Sequence, residues 1–176
     1  MRPLIDPLFS ETQLQERVTT LATEIAPHLR PDAVMVTLMT GAFLFAADLA
    51  RALARHNVSL CLDFMVLSSY GSGTQSSGII TTRLDCTTDL TGRQILLVDD
   101  ILDTGATLAF AKQHLLNKGA AQILTCVLLD KPARRTVAVQ VDHVGFQVPN
   151  LFVVGYGIDY NQMFRELPFV GTLRSS

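Results

Sequence analysis

The residues from Gln94 to Leu108 constrain this chain more than any others: Gln-Ile-Leu-Leu-Val-Asp-Asp-Ile-Leu-Asp-Thr-Gly-Ala-Thr-Leu. Ile95 to Val98 is a short unbroken apolar run, the pattern of a strand buried on both faces in a parallel sheet. Asp99 and Asp100 end it. Neighbours on a strand point to opposite faces, so the two carboxylates cannot do one job from one side. In an open α/β sheet the carboxyl ends of strands border the ligand crevice. Asp103-Thr104-Gly105-Ala106-Thr107 then opens a helical pattern carried by Leu108, Leu115 and Leu116. A small-residue turn that opens a helix presents free N–H groups and the positive end of the helix dipole, which makes a phosphate seat. Gly105 allows close backbone approach, and Thr104 and Thr107 add hydroxyls. It is not a Walker A loop, because no Gly-Lys-Ser or Gly-Lys-Thr is present. A phosphate seat beside two acids suits one ligand that carries both a phosphate and a ribose diol. The plainer reading, a solvated turn with Asp103 as a helix cap, explains one acid but not the set.

The 176 residues are within the range of one domain and can bury a sizeable core. Fourteen basic residues against 16 acidic ones, a net charge of −2, argue against a protein built on nucleic-acid backbone contacts. No apolar run approaches the ~18 residues of a membrane span. The start, Met1 to Pro7, lacks the apolar core of a signal peptide. Cys61, Cys86 and Cys126 are odd in number and widely spaced, without metal-ligand pairing. A reducing cytoplasm is the expected location, with neither nucleic acid nor membrane as partner.

Ser10 and Gln13 form a capping-box pattern that opens a helix with Leu14, Val18, Leu21 and Ile25 on one face, ending near Pro27 and Pro31. Ala33 to Met39 is a buried strand, and Thr40-Gly41-Ala42 leads into a helix from Phe43 to about Arg55. This second strand–turn–helix unit could offer more backbone donors, or be an ordinary connection. Asp48 reads as a solvated or capping-type residue inside that helix. Ser59 to Leu67 is a strand, and strand-like sequence resumes from Ile79 to Cys86. The Gly/Ser-rich stretch between them, with its Ser69-Tyr70 pair, suits a lid over roughly 68–80 rather than a linker.

Gln122 to Leu129 is a further buried strand, ending in Asp130-Lys131-Pro132 on the expected ligand side. Lys131 could hydrogen-bond a carbonyl oxygen on a base, or be a solvated turn lysine. Ala133-Arg134-Arg135 reads as a solvated edge. Val137 to Val148 reads as one or two short strands around Asp142-His143, and His143 has no assigned role. Leu151 to Val154 is the last apolar strand. Phe152 is equally a stacking platform for a flat heterocycle or plain core. Asp159 could ligate Mg²⁺ directly or stand behind it, and Arg165 is the natural bidentate partner of phosphate oxygens. Thr172 to Ser176 is expected to fray.

Ser-Ser-Tyr-Gly at 68–71, Val-Asp-Asp-Ile-Leu-Asp-Thr-Gly at 98–105, Asp-Lys-Pro at 130–132 and Phe-Val-Val-Gly-Tyr-Gly-Ile-Asp-Tyr at 152–160 occur in one order. Together they resemble the hypoxanthine-guanine phosphoribosyltransferases of bacterial type, and the resemblance covers nearly the whole chain. It implies a type I phosphoribosyltransferase fold: an α/β domain with a mostly parallel twisted sheet, helices on both sides and a small hood from the terminal segments. It implies transfer of the phosphoribosyl group from phosphoribosyl diphosphate to hypoxanthine or guanine, with Mg²⁺.

Carried over residue by residue, Asp99 and Asp100 would hold the ribose hydroxyls, directly or through Mg²⁺. Residues 103–107 would hold the 5′-phosphate, with Ala106 adding only its N–H. Asp103 would accept the proton from purine N7. Lys131 would bind the 6-oxo group, Phe152 would stack on the base, and the Val153 backbone would read its 2-position. Asp159 would bind a second Mg²⁺, and Arg165 the pyrophosphate. Ser69 and Tyr70 belong to the closing lid. The Thr40-Gly41 loop would touch pyrophosphate, with Thr40 where many relatives have lysine. A homodimer or homotetramer is expected. The alternatives are a xanthine-preferring relative and, from another class, an RNA-binding regulator on the same fold.

Overall fold

The apolar runs at 34–38, 95–98 and 126–129 become strands that are covered on both faces. The computed structural model describes residues 5–69 and 80–173. In chain order the strands and helices are β1 Ile5–Phe9, α1 Glu11–Ile25, β2 Val34–Met39, α2 Phe43–Ala54, β3 Cys61–Ser69, β4 Ile80–Leu84, β5 Gln94–Leu102, α3 Ala106–Asn117, β6 Gln122–Asp130, β7 His143–Gln147, β8 Val153–Val154 and β9 Val170–Leu173. A six-stranded sheet runs β4-β3-β2-β5-β6-β7, and a three-stranded sheet runs β1-β9-β8. Among the described residues of the large sheet only the β3–β4 pairing is antiparallel. The small sheet joins the two ends of the chain and forms the hood.

Period-2 alternation sorts the central strands between two cores. Met35, Leu96, Val98, Cys126 and Leu128 face α1 and α2. Val34, Val36, Leu38, Ile95, Leu97 and Val127 face α3, through Leu108, Ala111 and Leu115. Helices therefore lie on both faces of the sheet. The capping box at α1 forms as expected: the Gln13 N–H donates to Ser10 Oγ at 3.3 Å, and the Ser10 N–H to Gln13 Oε1 at 2.8 Å. Arg17 on α1 donates to the carbonyls of Val144 and Gly145, which occupies acceptors on the edge strand β7.

Several expected boundaries shift. β5 continues past its two acids to Leu102, because Asp99, Ile101 and Leu102 still pair with β6. Between Val137 and Val148 only His143–Gln147 is a strand. The strand expected at Leu151–Val154 shrinks to Val153–Val154 and belongs to the hood. Thr172, expected to fray, pairs with Asp6 and with Val153. Asp48, partly exposed, has a structural partner that the sequence does not show: its carboxylate accepts from the buried Tyr156 hydroxyl and pairs with Arg51, tying α2 to the Gly155–Gly157 turn. The β3–β4 flanks form the expected hairpin, and the lid core at 70–79 lies outside the described residues.

Candidate active site

The acids sit where strand pairing ends. Asp99 is buried on the α3 side of β5, and Asp100 is half-buried on the other. Each carboxylate folds back onto its own strand: the Asp100 N–H donates to Asp99 Oδ1, and the Ile101 N–H to Asp100 Oδ1, both at 2.9 Å. Burial drives the Asp99 carboxyl well above the usual carboxylate range, and the Asp100 charge adds to this. Burial also raises Asp100, while hydrogen bonds and the Arg165 charge oppose the rise.

The turn after β5 has the shape of an anion seat. Gly105 has φ +91° and serves as the N-cap residue of α3, so Asp103 is not the cap. A Cβ at 105 would meet Val137 O at 2.6 Å and Arg135 Cδ at 3.0 Å. A cavity of about 40 Å³ is lined by Asp99, Leu102, Asp103, Thr104, Thr107 and Leu108. Thr104 Oγ1 accepts from the Ala106 N–H at 3.4 Å.

Lys131 follows β6 beside this turn, its N–H donating to Leu102 O at 3.0 Å. Only 6% of the residue is exposed. Burial lowers its ammonium below the usual lysine range, partly offset by the Asp103 charge. A lysine so largely covered on the crevice side is poorly explained as a solvated turn lysine and well suited to a carbonyl ligand. Asp103 Oδ1 lies 2.8 Å from Arg134 Nε, although it accepts no aligned hydrogen bond among the described residues.

A second line of contacts runs through glycines. Gly41 packs directly on the Asp100 carboxylate, and Gly157 packs on the Gly41 carbonyl, with no room for a Cβ at either position. Arg165 Nη1 donates to Gly157 O at 2.7 Å, and its Nη2 pairs with Asp159 Oδ1 at 2.8 Å. Asp159 Oδ2 accepts the Gln162 N–H at 2.8 Å, so both of its oxygens have protein partners. The structure thus brings Gly41, Asp100, Asp159 and Arg165 into one chain of contacts. Thr40 is exposed beside them, after a cis peptide to Met39.

Phe152 is not core: it is 55% exposed and meets Tyr160 edge-to-face, with ring centroids 5.5 Å apart. Val153 is buried in β8. Ser69 ends β3, and Tyr70 lies outside the described residues. The sequence reading missed Arg134 and Arg135, taken there as a solvated edge. Arg135 is half-buried, its guanidinium paired with Asp130 and donating to the carbonyls of Leu102 and Asp103. Asp130 is therefore a structural partner of that arginine. Two arginines directly behind a strand-end Asp-Lys-Pro were the available signal.

An open, mostly parallel sheet with an anion seat and two acids at one strand end defines a phosphosugar- or nucleotide-binding α/β protein. Residues 10–161 match the family model described as phosphoribosyl transferase domain. The chain is 39% identical over 173 residues to the hypoxanthine-guanine phosphoribosyltransferase of Mycobacterium tuberculosis, covering 94% of this chain and 84% of the relative. It is 38% identical over 174 residues to the hypoxanthine phosphoribosyltransferase of Escherichia coli, covering 97% and 96%. A solved structure of Trypanosoma cruzi hypoxanthine phosphoribosyl transferase superposes with a TM-score of 0.91 at 37% identity, covering 99% of this chain and 93% of that one. The chain belongs to the hypoxanthine-guanine phosphoribosyltransferase family, on the type I phosphoribosyltransferase fold.

Proposed function

We propose that the chain works in purine salvage, transferring the 5-phosphoribosyl group from phosphoribosyl diphosphate to hypoxanthine or guanine to give IMP or GMP and pyrophosphate. One observation carries the base assignment: Lys131, only 6% exposed as a residue, stands at the carboxyl end of β6, beside a strand whose own end carries the acids and the phosphate seat. A 6-oxopurine offers the carbonyl that such a cation seeks.

In the reaction a bond forms between purine N9 and C1′, and the bond from C1′ to the diphosphate oxygen breaks. Positive charge builds on the sugar, so catalysis is mainly positioning and electrostatics. Asp103 takes the N7 proton. The turn at 103–107 holds the 5′-phosphate, and Asp99 and Asp100 hold the ribose hydroxyls. Lys131 binds the 6-oxo group, Phe152 stacks on the base, and the Val153 backbone reads the 2-position. Thr40, Gly41 and Arg165 meet the diphosphate. Ser69 and Tyr70 belong to a lid that excludes water.

Mg²⁺ fits the donor set, because Asp99 and Asp100 place hard carboxylate oxygens at one strand end beside the phosphate turn. One or two of these carboxylates would hold the ion together with the diphosphate. When bound, it neutralises the leaving diphosphate. At Asp159 a metal would share the carboxylate with Arg165 and the Gln162 N–H, which hold one oxygen each.

The chain works as one domain and as a homodimer or homotetramer. An apolar groove of about 300 Å³ between α2 and β3, where Leu62 and Phe64 are exposed, supports a second copy as its occupant. The Trypanosoma cruzi relative has a C-terminal region studied for its role in oligomeric state and activity. Three free cysteines suit the cytoplasm, and no described helix is long and apolar enough to cross a membrane.

The test is incubation with phosphoribosyl diphosphate, Mg²⁺ and, separately, hypoxanthine, guanine, xanthine, adenine and uracil. Nucleotide formation from hypoxanthine or guanine but not adenine is expected. Donor binding without reaction of any base would overturn the reading.

A further inference from the structure

The segment that follows Lys131 holds the phosphate turn by its carbonyls. Arg135 Nε donates to Asp103 O at 3.2 Å, and Nη2 donates to Leu102 O at 3.4 Å while pairing with the Asp130 carboxylate. The next two N–H groups, of Thr136 and Val137, both donate to Thr104 O, at 3.0 and 2.9 Å. Three consecutive carbonyls of the turn, 102 to 104, are thus fixed by residues 135–137. Leu102 O also accepts from Lys131 itself. Arg135 Cδ occupies the space that a side chain at 105 would need.

From this we propose that Arg135 is a positioning residue for the transfer: its guanidinium fixes the phosphate turn and Asp103 at one spacing from Lys131. The proposal rests on the function given above. Asp130 lies immediately before Lys131, so Arg135 bridges the strand end that carries the base-binding ammonium and the turn that carries the phosphate donors. A planar fork with several N–H donors reaches a carboxylate and two carbonyls at once; a lysine ammonium, a compact point charge, does not match that geometry. Displacing reacting groups by about 1 Å can cost roughly a hundredfold in rate.

The test is steady-state kinetics of Arg135→Lys and Arg135→Ala beside the wild type, with folding followed by circular dichroism and donor affinity by calorimetry. In both variants kcat is expected to fall by roughly a hundredfold and the KM for phosphoribosyl diphosphate to rise, while the KM for hypoxanthine changes much less. Guanidinium ion at low millimolar concentration is expected to restore part of the kcat of Arg135→Ala and none of Arg135→Lys. A purely structural side chain would instead lower the active fraction and leave both KM values alone; that pattern, or wild-type kinetics in Arg135→Lys, overturns the proposal. If the wild type made no nucleotide, the functional reading would fall. Arg135 would then be judged by donor affinity, which Arg135→Ala must weaken.

Discussion

Asp103 and Arg134 stand with Oδ1 and Nε 2.8 Å apart, yet the N–H is not aimed at that oxygen. Oδ1 is buried against the guanidinium while the Asp103 side chain is 37% exposed, so Oδ2 is the oxygen that can meet a proton from a ligand. Asp103→Asn keeps the shape and removes the proton acceptor. Turnover is expected to drop by about a hundredfold or more, with the affinity for phosphoribosyl diphosphate little changed. Calorimetric donor binding beside steady-state rates checks this; unchanged turnover would remove Asp103 as the base.

Lys131 gives a prediction in affinity and one in stability. Lys131→Ala removes a charged donor worth about 1.5–3 kcal/mol, so the KM for hypoxanthine should rise by roughly ten- to a hundredfold, and equal affinity would sink the role. Burial lowers the folded-state pKa of this lysine below its ordinary 10.5. Below the folded value the protein bears the full penalty of a buried charge, and the penalty fades as pH rises toward 10.5. Lys131→Met should therefore be more stable than wild type at neutral pH, with the gap closing at alkaline pH. Urea titrations at several pH values measure it.

Asp99 has the opposite sign of charge and the opposite pH window. Its folded-state pKa is raised above 3.8 by burial and then by Asp100. Its contribution is favourable below the unfolded value and is lost as pH rises through the folded value. Asp99→Asn should stabilise the unliganded protein at neutral pH, and the advantage should vanish as pH falls toward 3.8. The same variant should bind phosphoribosyl diphosphate with Mg²⁺ more weakly. A stability difference independent of pH would show that Asp99 is not held in this way.

Much of this was legible because apolar runs and small-residue turns act locally. Ile95 to Val98 is buried whichever neighbours it finds, and Gly105 must relieve its turn before any partner is known. The Asp48–Tyr156 contact spans 108 positions and leaves no local trace. Arg135 pairs with Asp130 only five positions away, but its two carbonyl partners on the 102–103 turn are set by β5–β6 pairing. The Leu151–Val154 run misled because apolar content does not say which side is covered: Val153 and Val154 enter the hood, while Leu151 and Phe152 remain exposed. Asp142 carries no local signal of its role: its carboxylate accepts from both the N–H and the hydroxyl of Thr125, 17 positions away.

Gly41 provides the sharpest separation of packing from conformation. It has no positive φ, so alanine suits its backbone, but a Cβ would run into the Asp100 carboxylate. The Gly41 carbonyl is in turn pressed by Gly157, so the loop cannot retreat that way. Gly92 is the natural control: its φ is +73° and nothing lies within 4 Å of a Cβ there. Gly92→Ala should cost about 1 kcal/mol of stability through its backbone alone and leave the kinetics unchanged. Gly41→Ala should cost about 1–3 kcal/mol through overpacking and, unlike Gly92→Ala, raise the KM for phosphoribosyl diphosphate and lower kcat, because it displaces Asp100. Melting temperatures and donor titrations of the two variants decide the matter. Equal kinetics in both would mean that the Gly41–Asp100 contact does not shape the site.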